Sequence, residues 1–183
     1  MSSDTQQRME AWLDRLDIID CITRLARGED RRNEKLIRSS FSPNAIIDMG
    51  VFRGTFDQYL EWVVPGDPAL PVTLHTLGQS FIQLDGETAL AETPVNSYHR
   101  VNTGEEERDT AIGGRYLDKL EKRDGSWCIV ERTLLYDWYM DYGIAADWSQ
   151  GVMGLPFTAD HYTGKSRANC DFSEVFFGTS RKD

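Results

Sequence analysis

Apolar residues recur at three- and four-residue spacing near the start of the chain: Met9, Trp12, Leu13, Leu16, Ile19, Ile22 and Ala26. That period predicts an amphipathic helix over residues 5–27, with Gly28 as its C-cap. A second, short helix is expected over residues 33–40, with Leu36, Ile37 and Phe41 as its apolar side. Pro43-Asn44 reads as a turn, residues 45–49 as a short strand and 51–54 as its hairpin partner. A third helix follows over residues 55–64, with Thr55 placed to cap it, and Pro65-Gly66-Asp67-Pro68 breaks the chain into a loop ending at Pro71. Beyond that loop the period drops to two. Four strands are predicted, over residues 76–84, 88–101, 110–122 and 126–139. Asp85-Gly86, Asn102-Thr103-Gly104 and Asp124-Gly125 supply the turns of an antiparallel meander. Helices first and strands second indicate an α+β fold with the helices on one face of the sheet.

Strand alternation sorts residues onto faces. In the third long strand Ile112, Gly114, Tyr116, Asp118 and Leu120 share a face. In the fourth the set is Val130, Arg132, Leu134, Tyr136 and Trp138. An arginine in such company either pairs with an acid such as Glu92 at a sheet edge or holds an anion inside an apolar pocket. From Asp141 the pattern fades. The remaining stretch is rich in aromatic residues (Trp148, Phe157, Tyr162, Phe172, Phe176, Phe177) and is expected to be ordered, covering the mouth of the sheet or a neighbouring subunit. The chain thus divides into a domain over residues 1–140 and an extension over residues 141–183.

Composition narrows the function. With 183 residues, 40% hydrophobic and 27% charged, the chain builds one domain with a core. A formal net charge of −10 argues against nucleic acid and anionic membranes as partners. No stretch approaches the roughly 18 apolar residues of a membrane span, and the polar N-terminus predicts no secretory signal. Cys21, Cys128 and Cys170 are odd in number, widely separated and without metal-ligand spacing, as in a reduced, cytoplasmic protein. The chain offers no metal motif, phosphate loop or nucleophile motif. It does offer Asp30, just after the first helix, and His75, opening the first long strand. A carboxylate that orients an imidazole makes a general base near neutral pH. His99 shares the strand parity of Thr93, Val95 and Ser97. Trp62, Trp138, Tyr139 and Tyr142 are aromatic candidates for the wall of a pocket that takes a flat substrate.

The order of motifs resembles the SnoaL-like branch of the nuclear transport factor 2-like superfamily. The runs are Gly28 to Arg31, Phe41 to Ala45, His75 to Gln79, Ala89 to Thr93, and Gly113 to Arg132. That resemblance implies a curved mixed or antiparallel sheet wrapped by three N-terminal helices into a cone, a cystatin-like α+β barrel with a pocket inside. Within the branch the runs look most like the lindane dehydrochlorinases, scytalone dehydratases and bile-acid dehydratases. The resemblance places Asp30 and His75 at the catalytic dyad and Arg132, five residues after Trp127, at a pocket arginine. Tyr116, Ile112, Val95 and His99 fall at inward, substrate-facing positions, and Trp138 is a further substrate-binding candidate as an aromatic of the pocket wall. Leu25 stands where those enzymes carry a lysine or tyrosine five residues before the aspartate. The implied activity is a cofactor-independent lyase: a dehydratase-type elimination, or a retro-aldol cleavage, on a hydrophobic aromatic or polycyclic small molecule. An isomerase or cyclase of the same fold, or a non-catalytic binding or assembly module, is the alternative. A homo-oligomer, trimer or dimer, is implied.

Overall fold

The computed structural model describes residues 2–157 and 172–178. The first helix, α1, spans Ser3–Asp30. It starts under the side chain of Ser2, which accepts from the Thr5 backbone N–H at 3.2 Å. It also outruns its predicted end. Gly28 lies inside the helix rather than capping it, because α2 (Glu34–Arg38) crosses there. A Cβ on Gly28 would sit 2.9 Å from Ile37 Cγ1 and 3.1 Å from the Ile37 backbone nitrogen. The left-handed residue after the helix is Arg32, at φ 50°. The buried face differs from the expected one as well. Ile18, Cys21, Ile22, Leu25, Ala26, Gly28 and Glu29 are buried, whereas Met9, Trp12, Leu13, Leu16 and Ile19 are exposed. The N-terminal half meets the sheet through polar groups instead. Asp14 accepts from Lys122 Nζ at 2.6 Å and Trp127 Nε1 at 2.9 Å, and Arg15 donates to the Ile82 carbonyl at 2.7 Å.

The third helix, α3 (Phe56–Val63), begins with a capping box between Thr55 and Gln58 and buries Phe56, Tyr59 and Leu60. Around these helices runs one curved, unclosed sheet. Its strands are β1 (Phe41–Asp48), β2 (Arg53–Thr55), β3 (Val72–Leu77), β4 (Phe81–Asp85), β5 (Thr88–Asn102), β6 (Glu107–Arg123) and β7 (Ser126–Ile144). The order is β2-β1-β7-β6-β5-β3, with β4 also on β5. All pairings are antiparallel except β1 with β7. Pro43 and Asn44 do not turn the chain; they lie in an irregularity of β1 between Phe41 and Ile46. The strand predicted over 76–84 is two, with a one-residue register shift against β5 between Leu77 and Phe81. The core is one cluster between α1, α2, α3 and the concave face, built on Ile18, Ile22, Leu25, Ile37, Phe41, Ile47, Leu120 and Ile129.

Strand β7 bends most. Against β6 it carries an extra residue at Val130, at Asp137 and at Tyr142, and each bulge flips the side-chain alternation. Trp127 and Ile129 point inward, then Arg132, then Leu134 and Tyr136, then Tyr139. Gly114 sits opposite the second bulge. A Cβ there would lie 2.2 Å from the Leu135 carbonyl oxygen, a backbone atom that no rotamer change moves. Gly114→Ala is therefore expected to cost about 1–3 kcal/mol, the range of an overpacked core, and to lower the midpoint of a thermal melt. An unchanged midpoint would show that the bulge yields.

Beyond position 140 the pairing continues to Ile144, followed by a small hairpin of β8 (Gly151–Val152) and β9 (Leu155–Pro156) and a last helix, α4 (Phe172–Gly178). Helix α4 returns to the end of α1, where Phe177 lies under the Arg27 guanidinium at 4.7 Å. Tyr162, His161 and Cys170 lie outside the described residues. No helix is long and apolar enough to cross a membrane among the described residues, and Cys21 and Cys128 carry unpaired thiols.

Candidate active site

Asp30, the last residue of α1, meets the edge strand β3. Its Oδ1 lies 2.7 Å from His75 Nδ1, and its Oδ2 accepts the His75 backbone N–H at 3.0 Å. Thr73 Oγ1 adds a longer contact at 3.4 Å. A carboxylate only accepts, so Nδ1 carries the proton and Nε2 is left as the basic atom. The side chains of His75 and Asp30 are 14% and 8% exposed. Burial by itself disfavours the imidazolium. The hydrogen bond to Asp30 and the charges of Glu29 and Asp30 outweigh it, so the His75 pKa rises above its ordinary value.

His75 lies on the wall of a cavity of about 340 Å³, within the range of small-molecule sites. Helix α3, the loop after it and strands β3, β5, β6 and β7 build the wall. Ile112, Tyr116 and His99 face this cavity with His75, as do Trp62 and Tyr139. The Tyr116 pKa is driven up by burial and by the nearby Glu29 charge. The His99 pKa is lowered to about 4 by burial and by His75, so it is neutral at pH 7. The His75 and His99 rings stand perpendicular, with centroids 6.2 Å apart. Arg32 reaches across the rim to the carbonyls of Pro65 and Leu70, at 3.3 and 3.0 Å.

Among the cavity residues that escape the sequence reading, Glu29 and Tyr59 form a buried polar pair. Tyr59 donates to Glu29 Oε1 at 2.5 Å. Its own pKa is pushed well up by burial and by that carboxylate. Glu29 sits in a charged run that looks solvated. Its signal is helical position: it extends the buried series Ile18, Ile22, Leu25 by one more turn.

Besides Asp30, which reaches the cavity only through His75, five expected site residues do not line it. Arg132 is 1% exposed and held in a two-pronged pair with Asp118, its direct cross-strand neighbour, at 2.7 and 2.8 Å. Its partner is thus neither Glu92 nor a bound anion; Glu92 approaches Arg115 instead, at 3.5 Å. Arg132 lies against the wall residue Tyr116, whose ring centroid is 4.0 Å from its guanidinium carbon. Trp138 is on the outer side, 44% exposed, because the Asp137 bulge hands the inward position to Tyr139. A Cβ on Gly113 would be 2.0 Å from its indole. Tyr142, itself a bulge residue, is exposed too. Val95 and Leu25 are buried in the core behind the wall. Among the described residues none beyond Tyr139 lines the cavity, and no cluster of three or more metal-ligating side chains occurs.

Residues 10–133 match the SnoaL-like domain. A search of curated proteins finds no match. Among solved structures, a type 2 hexachlorocyclohexane dehydrochlorinase (LinA) superposes with a TM-score of 0.67 at 15% identity, covering 85% of this chain and 99% of that one. A candidate scytalone dehydratase from Novosphingobium aromaticivorans gives 0.63 at 20% identity over 74% of this chain and 92% of its own. The Kfla4162 protein of Kribbella flavida gives 0.64 at 17% identity over 71% and 95%. At these identities the likeness establishes the fold.

Proposed function

The chain belongs to the SnoaL-like domain family, and on that premise we propose that it is a lyase catalysing an elimination with His75 as general base. The observation that carries this reading is the 2.7 Å contact of Asp30 with His75 at the wall of a mostly apolar cavity. On this reading Nε2 of His75 removes a proton from a substrate carbon. The C–H electron pair forms the new double bond, and the bond from the neighbouring carbon to its leaving group breaks. A hydroxide leaving group departs as water by taking up the proton that His75 removed, which returns His75 to its neutral form and balances the step without a cofactor. Asp30 holds the ring in the required tautomer and stabilises the imidazolium that forms. The dehydrochlorinase and dehydratase named among the neighbours are consistent with this class of reaction.

Arg132 changes role. Both prongs of its pair go to Asp118 and its face lies on the Tyr116 ring, so it positions Tyr116 rather than meeting developing negative charge. Tyr116, which lies on the cavity wall, is the hydrogen-bond donor to the leaving group or oxyanion. Tyr116→Phe is expected to lower kcat by about 10²-fold, as for loss of one oxyanion donor, with little change in thermal stability. Unaltered kcat would remove Tyr116 from the chemistry. The base assignment is tested by measuring turnover of hydroxylated ring compounds by wild-type and His75→Ala protein; equal rates refute it.

Assembly is part of the same proposal. The outer row on β7 exposes Trp138 and Met140, and α1 exposes Trp12, Leu13 and Leu16. Apolar surface of this extent favours a homo-oligomer. A monomeric mass in light scattering at micromolar concentration would exclude it.

A further inference from the structure

Two buried polar atoms on the cavity wall have no hydrogen-bond partner among the described residues: Glu29 Oε2 and His99 Nδ1. An unmet polar atom inside a fold is costly, and native proteins keep few of them. Both belong to residues that line the cavity. Glu29 is 7% exposed, and its Oε1 is already taken by Tyr59, itself 2% exposed. The carboxylate cannot turn away without breaking that bond, so Oε2 stays unmet just behind the cavity surface. A carboxylate oxygen is answered by a donor. His99 stays neutral, and its Nδ1 accepts or donates according to tautomer. A hydroxyl, which both donates and accepts, suits Glu29 and suits His99 in either tautomer. An ammonium only donates, a carbonyl only accepts, and a carbon-bound chlorine offers Glu29 nothing.

We propose that Glu29 is a specificity determinant that accepts a hydrogen bond from a substrate hydroxyl, so that the cavity selects hydroxylated ring compounds over halogenated or deoxy ones. This deepens the elimination reading by naming the substrate class of the same site. It separates this chain's substrates from those of the hexachlorocyclohexane dehydrochlorinase that shares its fold, since a chlorinated ring would leave Oε2 unmet. A site built around a substrate hydroxyl rejects analogues lacking it far better than an apolar pocket rejects extra bulk.

The test reads binding, not turnover. Naphthalene-1,3-diol, 1,3-dichloronaphthalene and 1-aminoindane are titrated calorimetrically at pH 7 into wild-type, Glu29→Leu and Glu29→Gln protein. The wild type is expected to prefer the diol over the dichloride by at least about tenfold. In Glu29→Leu the preference falls below about threefold, through weaker diol binding and equal or tighter dichloride binding. Glu29→Gln, nearly the same shape, decides the matter if the leucine variant fails to fold, and is expected to lose at least half of the logarithmic preference. A preference that persists in the folded variants, no preference in the wild type, or no binding of any probe overturns the proposal. Tighter binding of protonated 1-aminoindane than of the diol overturns it in favour of a cation site. If His75→Ala keeps full activity while the preference follows Glu29, the base assignment falls and this one stands.

Discussion

Replacing His75 with alanine is expected to lower turnover by about 10²–10⁴-fold, the usual contribution of a positioned base, without unfolding the protein. His75 is on an edge strand and its side chain is partly exposed, so little packing is lost. Asp30→Asn adds a sharper test. The amide keeps an acceptor for the His75 backbone N–H but removes the charge that stabilises the imidazolium, so kcat falls while the fold persists. The pH profile distinguishes orientation from charge. His75 works as a base only when neutral, so kcat/KM rises with pH through its pKa. That pKa is raised by the bond to Asp30 and by the Glu29 and Asp30 charges, against the opposing effect of burial. The acid limb is therefore expected above the ordinary imidazole value of about 6.5, and Asp30→Asn is expected to move it to lower pH. A limb unmoved by Asp30→Asn would mean that another group sets it.

Asp118→Ala is expected to be the most destabilising single change. It leaves the Arg132 guanidinium, 1% exposed, without its carboxylate. Breaking a buried pair from one side costs about 3–5 kcal/mol, or roughly 6–20 °C in Tm for a domain of this size. Asp118→Leu combined with Arg132→Met removes both charges and is expected to recover most of that stability. The same double variant asks whether Arg132 acts in the chemistry. If it acts only by supporting Tyr116, activity falls less than about tenfold. A loss as large as that of His75→Ala would return Arg132 to the reacting centre. A melt of Asp118→Ala within about 1 °C of wild type would contradict the buried pair itself.

Much of this was legible from the chain. The turns at Asp85-Gly86 and Asp124-Gly125, the cap at Thr55, the helix-then-strand order and the motifs of the SnoaL-like domain all point to the observed fold. The meeting of Asp30 with His75 rested on the resemblance alone, because 45 residues separate them and no periodicity relates a helix end to an edge strand. Two kinds of feature were not legible. Periodicity reports an apolar stripe but not which stripe the sheet covers, and α1 carries two; the one from Met9 to Ile19 is the exposed one. Alternation also fails across a bulge. Trp138 was assigned inward by counting twos from Arg132, and the extra residue at Asp137 reverses that assignment. The Asp118–Arg132 pair could have been found, since both residues were already in inward sets of neighbouring strands. Glu29 is readable only once the buried stripe of Ile18, Ile22 and Leu25 is known, because it continues that stripe by one turn.

The double grip of Asp30 on β3 has a consequence for colloidal behaviour. Strand β3 ends the sheet order, and the outward N–H groups of such a border strand are templates for unwanted pairing with other chains. Asp30 Oδ2 occupies one of them, the His75 amide, and brings a negative charge to the border. The carboxylate that holds the His75 ring thus also blocks one pairing position on the sheet border. Replacing Asp30 would then expose a border amide for pairing between chains whatever becomes of the His75 ring.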